Sequence, residues 1–173
     1  PNSKAGNGSN VQVWTQNGAK NQEFKFVKQD DNKGTKTIDN GIYLIESSTD
    51  TSKTLEIPRS SLVTGEKLGV WNKNSTVNQK FEFTYRDNGY YTISAVHSDK
   101  YLDISEGSKN DGAEVIQWNY HGGNNQQWKI QDAGNGYFNI ISRCNGLYLT
   151  IDGTSVKTCK ENASLVQKFK LEK

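Results

Sequence analysis

At 173 residues and a net charge of +2, the chain is long enough to bury a sizeable core. It is too weakly charged to be built for nucleic acid or an acidic membrane surface. Only 32% of the residues are apolar, yet Phe, Tyr and Trp make up 10%, and 16 glycines against 2 prolines describe a turn-rich fold with aromatic anchors, not a disordered chain. No apolar run approaches the roughly 20 residues of a membrane helix, so no membrane insertion is expected, and no signal peptide is readable.

Read from the N-terminus, a Q-x-aromatic tripeptide recurs four times: Gln22-Glu23-Phe24, Gln79-Lys80-Phe81, Gln126-Gln127-Trp128 and Gln167-Lys168-Phe169. Eight residues before each glutamine stand Trp14, Trp71, Trp118 and Cys159, and one residue before stand Asn21, Asn78, Asn125 and Val166. A second marker recurs between them as Gly41-Ile42-Tyr43, Gly89-Tyr90-Tyr91 and Gly136-Tyr137-Phe138. Chance does not hold several internal spacings fixed, so the chain is a repeat protein.

Residues 1–28 match only the back half of a repeat, and the polar stretch at 29–39 reads as a linker. The expectation is therefore a chain cut from something longer, in which a preceding repeat ended here. Residues 40–173 hold three repeats, each with four short alternating runs bounded by Gly, Asn, Asp and Ser. In the copy centred on Asp103 these runs are 91–95, 101–104, 114–118 and 126–130. No stretch longer than about eight residues has helical periodicity. The fold class is all-β, with three four-stranded units that can close a barrel and cap it with hairpins.

An apolar-acid-apolar triplet followed by an aromatic and then N-Q-x-W, as in Leu102-Asp103-Ile104, Trp118 and Asn125-Gln126-Gln127-Trp128, resembles the ricin-type β-trefoil lectins. It also resembles the family-thirteen carbohydrate-binding modules attached to bacterial glycoside hydrolases. That resemblance covers essentially the whole chain. It implies a β-trefoil of about twelve strands, up to one shallow sugar site per repeat, galactose-, lactose- or xylan-type ligands, and no catalysis by the module itself.

A sugar presents hydroxyls on its edge and C–H groups on its face, so a site needs a carboxylate or amide for the first and an aromatic ring for the second. The third copy has the full set. Asp103 is expected to accept from two hydroxyls, Trp118 to stack, Asn125 to bond the same edge, and Gln126 to support Asp103 or the hairpin. His121 stands where the bacterial relatives often carry a ligand-contacting histidine, and Tyr120 is a rival for the stacking role. One departure is Ile116, where the family often has a glutamine two residues before the aromatic. In the second copy Glu56 replaces the aspartate while Trp71 and Asn78 remain, so a weaker site is expected. The last copy reads as dead, with Thr150, Cys159 and Val166 at the three positions and only 9 residues, not 15, between acid position and aromatic position.

Rival chemistries find little support. The two histidines and two cysteines form no nucleophilic or metal-ligand pattern, and no cofactor or metal is implied. The expectation is a binding module, not an enzyme, in a secreted parent protein with further domains on the same chain and glycans as partners. The alternative is a toxin-docking or protein-interaction trefoil that has lost the sugar.

Overall fold

A computed structural model describes residues 34–173. The partial repeat expected at 1–28, with Trp14, Asn21 and Gln22, lies outside the described residues, as does the first part of the expected linker. From Gly34 to Asp39 there is no strand, but this segment is tied down. The Tyr85 hydroxyl donates to the Gly34 carbonyl (2.6 Å) and the Thr37 hydroxyl to the Ile130 carbonyl (2.8 Å). Ile38 bonds the Tyr91 hydroxyl through both its N–H and its carbonyl, each at 2.9 Å.

Twelve strands follow among the described residues: β1 (Gly41–Ser47), β2 (Lys53–Glu56), β3 (Gly69–Asn72), β4 (Phe81–Tyr85), β5 (Tyr90–Ala95), β6 (Lys100–Ile104), β7 (Ala113–Trp118), β8 (Trp128–Asp132), β9 (Phe138–Ser142), β10 (Tyr148–Asp152), β11 (Ser155–Cys159) and β12 (Phe169–Glu172). All pair antiparallel. Strands β1, β4, β5, β8, β9 and β12 hydrogen-bond in that order, and β12 returns to β1, so the sheet closes into a ring with no free edge among these six. The remaining six form the hairpins β2–β3, β6–β7 and β10–β11, and β11 also meets both β3 and β7.

Period-2 alternation explains which faces turn inward. In β4 Phe81 and Phe83 are buried while Glu82 is exposed, and in β8 Trp128 and Ile130 are buried while Lys129 is exposed. Phe81, Trp128 and Phe169, the aromatic ends of three Q-x-aromatic tripeptides, are all fully buried and belong to one apolar core with Ile45, Ile93 and Ile140. Truncating one such ring to alanine costs about 3–5 kcal/mol. At the join of β1 and β12, Lys73 reaches the Glu172 and Glu46 carboxylates, and those hydrogen bonds raise its pKa above the ordinary lysine value.

One local difference from the pattern reading is informative. The fourth run was expected to begin at Gln126, but Asn124–Gln126 is a single 3₁₀ turn and β8 begins at Trp128. The same turn occurs at Val77–Gln79 and Leu165–Gln167. In each the glutamine side chain captures backbone groups of the preceding loop, which holds the chain curled until the aromatic residue. The described helical pieces are these short turns and two more, and none is long and apolar enough to cross a membrane.

Candidate functional site

A single hydrogen-bond arrangement underlies the three acid positions. The side chains of Gln79, Gln126 and Gln167 are buried. Each Nε2 donates to the carbonyl of the residue after the aromatic position, at 2.8 Å to Asn72, Asn119 and Lys160. The same nitrogen donates to the acid position itself: Glu56 Oε2 at 3.1 Å, Asp103 Oδ2 at 2.8 Å and Thr150 Oγ1 at 3.0 Å. Each Oε1 accepts from the backbone N–H five residues earlier, that of Asn74, His121 and Asn162. The amide thus joins hairpin, turn and acid position in all three units, whatever residue fills the acid position.

Above this shared base the unit of Asp103, which carries the third of the four sequence copies, builds a polar cluster. Register places Asp103 opposite Ile116 and Tyr101 opposite Trp118 across the β6–β7 hairpin. Leu102 and Ile104 point into the core, so Asp103 points to the other face of β6, where it is only 2% exposed. Its Oδ1 accepts from Asn125 Nδ2 at 2.6 Å, and its Oδ2 accepts from Gln126 and lies 3.0 Å from His121 Nε2. The His121 Nδ1 accepts from the Gly123 N–H at 3.2 Å, an arrangement that assigns the ring proton to Nε2 and makes it a donor to Asp103. A carboxylate offers about four lone-pair directions, and three are taken, leaving one on Oδ1 beside Asn125.

Gly123 makes that cluster possible. Its φ of −67° suits any residue, so its value is space. A Cβ there would lie 2.5 Å from Asn125 Oδ1 and 2.8 Å from His121 Cε1.

The cluster opens onto a cleft of about 410 Å³. Asp103, Trp118, His121 and Asn125 line it, and Trp118 is 42% exposed. Gly65 and Lys67, from the loop after β2, line it too, together with Glu106 and Glu114. Buried Gln117 fixes that loop. Its Nε2 donates to the carbonyls of Ser61 and Val63, both at 2.8 Å, and its Oε1 accepts from the Ser98 hydroxyl at 2.7 Å. Its backbone bonds Gly65 and Glu66.

The other candidates fall in different places. Tyr120 packs on Tyr101, with ring centroids 4.7 Å apart, and carries the Arg86 guanidinium over its ring; it is not among the residues that line the cleft. Gln126 is fully buried and supports the cluster from beneath. In the second unit Trp71 is 57% exposed, but Asn78 is buried and turned inward. Its Nδ2 donates to the Ile57 carbonyl at 3.0 Å and only weakly to Glu56 Oε2 at 3.4 Å. Thr76, which corresponds to Gly123, gives its hydroxyl to Asn78 Oδ1 at 2.6 Å. The last unit has a two-residue turn between β10 and β11, Thr150 is buried, and a cleft of about 420 Å³ is lined by Asp111, Asp152, Lys157, Cys159 and Asn162. Both cysteines are free thiols. No group of three or more His, Cys, Asp or Glu suited to a metal ion occurs among the described residues.

Sequence reasoning missed Gln117, Gly123 and the wall of Gly65 and Lys67. The inward alternation of β7 was the one available signal for Gln117; nothing in the sequence pointed to the other three.

The profile of the ricin-type beta-trefoil lectin domain-like family matches residues 35–118 and 77–167. No curated protein matches the chain. Among solved structures, a designed threefold-symmetric protein, ThreeFoil, is 30% identical with a TM-score of 0.73, covering 76% of this chain and 98% of its own. An exo-beta-1,3-galactanase from Clostridium thermocellum is 28% identical with a TM-score of 0.73 over 78% of this chain, which spans 30% of the galactanase. A Polyporus squamosus lectin, solved with a human-type influenza-binding epitope, shares the fold at 20% identity with a TM-score of 0.69, over 78% of this chain and 49% of the lectin.

Proposed function

The chain belongs to the ricin-type beta-trefoil lectin domain-like family, and on that premise we propose that it binds galactose-, lactose- or xylan-type glycans, without catalysis, through the cleft at Asp103. The observation that carries this reading is a carboxylate held ready beside an amide, with an exposed indole on the same cleft. A pyranose would lay its C–H face on Trp118 and direct a hydroxyl to the open lone pair of Asp103 Oδ1, bridging to Asn125. A second hydroxyl reaches the carboxylate only where His121 Nε2 yields its place or shares it. Gln126 holds the carboxylate in position without touching the sugar.

The three units behind this site read as three four-stranded repeats of a trefoil, and the segment at 1–28 as the end of a further repeat. They are unequal in function. The unit of Asp103 is the main site, that of Glu56, Trp71 and Asn78 a weaker one, and that of Thr150 a structural third of the barrel. The module is proposed to serve a secreted parent protein with other domains, and its glycan targets fit a neighbour such as the galactanase. One shallow site of this kind gives a dissociation constant near ~1 mM, about −4 kcal/mol, so useful targeting comes from several sites or linked modules.

A second reading, a protein-docking trefoil without sugar, draws on the last unit, where threonine and cysteine stand at the acid and aromatic positions. A glycan array on the protein and on Asp103→Ala separates the two. Sugar binding lost in the variant supports the first reading; no sugar binding by either protein supports the second, and binding unchanged in Asp103→Ala overturns the assignment to this cleft.

A further inference from the structure

We infer that the Asp103 cleft takes a neutral oligosaccharide of at least two residues, with the second residue seated at the Lys67–Glu114 pair. This rests on the sugar-binding reading of the cleft. Glu114, Ile116 and Trp118 all line it, so they share one face of β7. Four residues of strand at about 3.3 Å each set Glu114 roughly 13 Å from Trp118, a span longer than one pyranose ring. A single sugar stacked on Trp118 and bonded to Asp103 leaves the Glu114 end empty.

That end is a built surface. Lys67 is paired by a bridge with Ile116, and its Nζ lies 2.5 Å from Glu114 Oε1, with both side chains exposed enough to reach a ligand. An exposed pair of this kind contributes little to stability, so it can exchange its mutual bond for bonds to sugar hydroxyls, the ammonium donating and the carboxylate accepting. The loop that carries Lys67 is fixed by buried Gln117, so the wall is in place before the ligand arrives and little ordering cost remains. This wall comes from a different repeat than Asp103 and Trp118, so the full cleft exists only where two units meet.

Charge restricts the ligand further. Among the described residues, Asp103, Glu106 and Glu114 place three carboxylates on the cleft against one ammonium, that of Lys67, which is already paired. A sialylated, sulfated or uronic-acid glycan would enter a negative field with no free cation among the described residues of the lining to receive it. Neutral glycans meet no such penalty.

Isothermal titration of the full chain with two matched pairs, galactose with lactose and xylose with xylobiose, and with a sialylated lactose, tests this. In the pair whose monosaccharide binds, the disaccharide is expected to bind about fivefold tighter, the worth of one net hydrogen bond. The sialylated lactose is expected to bind more weakly than lactose. In the double variant Lys67→Ala/Glu114→Ala the disaccharide-to-monosaccharide ratio falls to about one, and in Lys67→Gln/Glu114→Gln, which keeps hydrogen-bonding groups, most of the ratio returns. A wild-type ratio near one, a ratio that survives the alanine pair, or a preference for the sialylated sugar overturns the second subsite while leaving the Asp103 site standing. Absence of binding by every sugar overturns the sugar reading and this inference together.

Discussion

The second and third units share a hairpin, a buried glutamine and an exposed tryptophan, yet only the third turns them into an open polar cluster. In the third, Asp103 is short enough to stay under Asn125 and His121, and Gly123 leaves room for both. In the second, Glu56 is one methylene longer, and the corresponding Asn78 is drawn down to the Ile57 carbonyl and held by the Thr76 hydroxyl. His121 is replaced by Asn74, whose Oδ1 is spent on the Thr76 N–H. The lesson is that an acid, an aromatic and an asparagine at the right spacing do not suffice. The residues between them decide whether the asparagine faces a ligand or its own turn.

The largest effect expected is on stability, and it should ignore this difference. Gln126→Ala strips partners from Asp103, the Asn119 carbonyl and the His121 N–H, and Gln167→Ala does the same to Thr150, Lys160 and Asn162. Each is expected to cost about 2–3 kcal/mol in urea unfolding, since each leaves buried polar groups unpaired. A much smaller cost for Gln167→Ala would mean that the glutamine is maintained for the ligand site and not for the barrel.

Next comes the direct contrast of acids. Asp103→Ala is expected to weaken sugar binding about thirtyfold or more, in line with loss of a charge-assisted hydrogen bond, while Glu56→Ala changes the total by about twofold at most. Calorimetry on the two variants reads this, and equal losses would place the units on one footing. A smaller effect follows at Gly123. Gly123→Ala forces His121 and Asn125 apart and is expected to weaken binding about tenfold with a change in unfolding free energy of under about 1 kcal/mol. Unchanged affinity would show that the cluster seen here is not the one that meets sugar. The smallest effect is the transplant: Glu56→Asp with Asn74→His and Thr76→Gly should strengthen the second unit about threefold, seen as a rise in binding stoichiometry towards two. No rise would mean that the loop wall, and not the cluster, separates the units.

Much of this is legible in the amino-acid sequence. The Q-x-aromatic tripeptides marked Phe81, Trp128 and Phe169, all fully buried, because a fixed spacing between a turn-forming glutamine and a core ring survives as a readable pattern. Asp103 and Asn125 were legible for the same reason, and the structure brings them to 2.6 Å. The roles of Tyr120 and Gln117 were not. Tyr120 reads as a rival to Trp118 for the stacking role because spacing does not say which way a side chain in a turn will point, and it lies on Tyr101. Ile116 stands where the family often has a glutamine, whereas its neighbour Gln117 carries several side-chain hydrogen bonds, to partners 54 and 56 residues away that no local spacing could reveal. Gly123 was invisible because its importance is the absence of a Cβ between two side chains that meet only in the folded chain.

A crystal soaked with galactose, lactose or xylobiose gives the most direct test. The account predicts a pyranose ring lying against Trp118 with a hydroxyl bonded to Asp103 Oδ1 and Asn125. A sugar bound instead at Trp71, or in the Cys159 cleft of the last unit, with the Asp103 cleft empty, would contradict it.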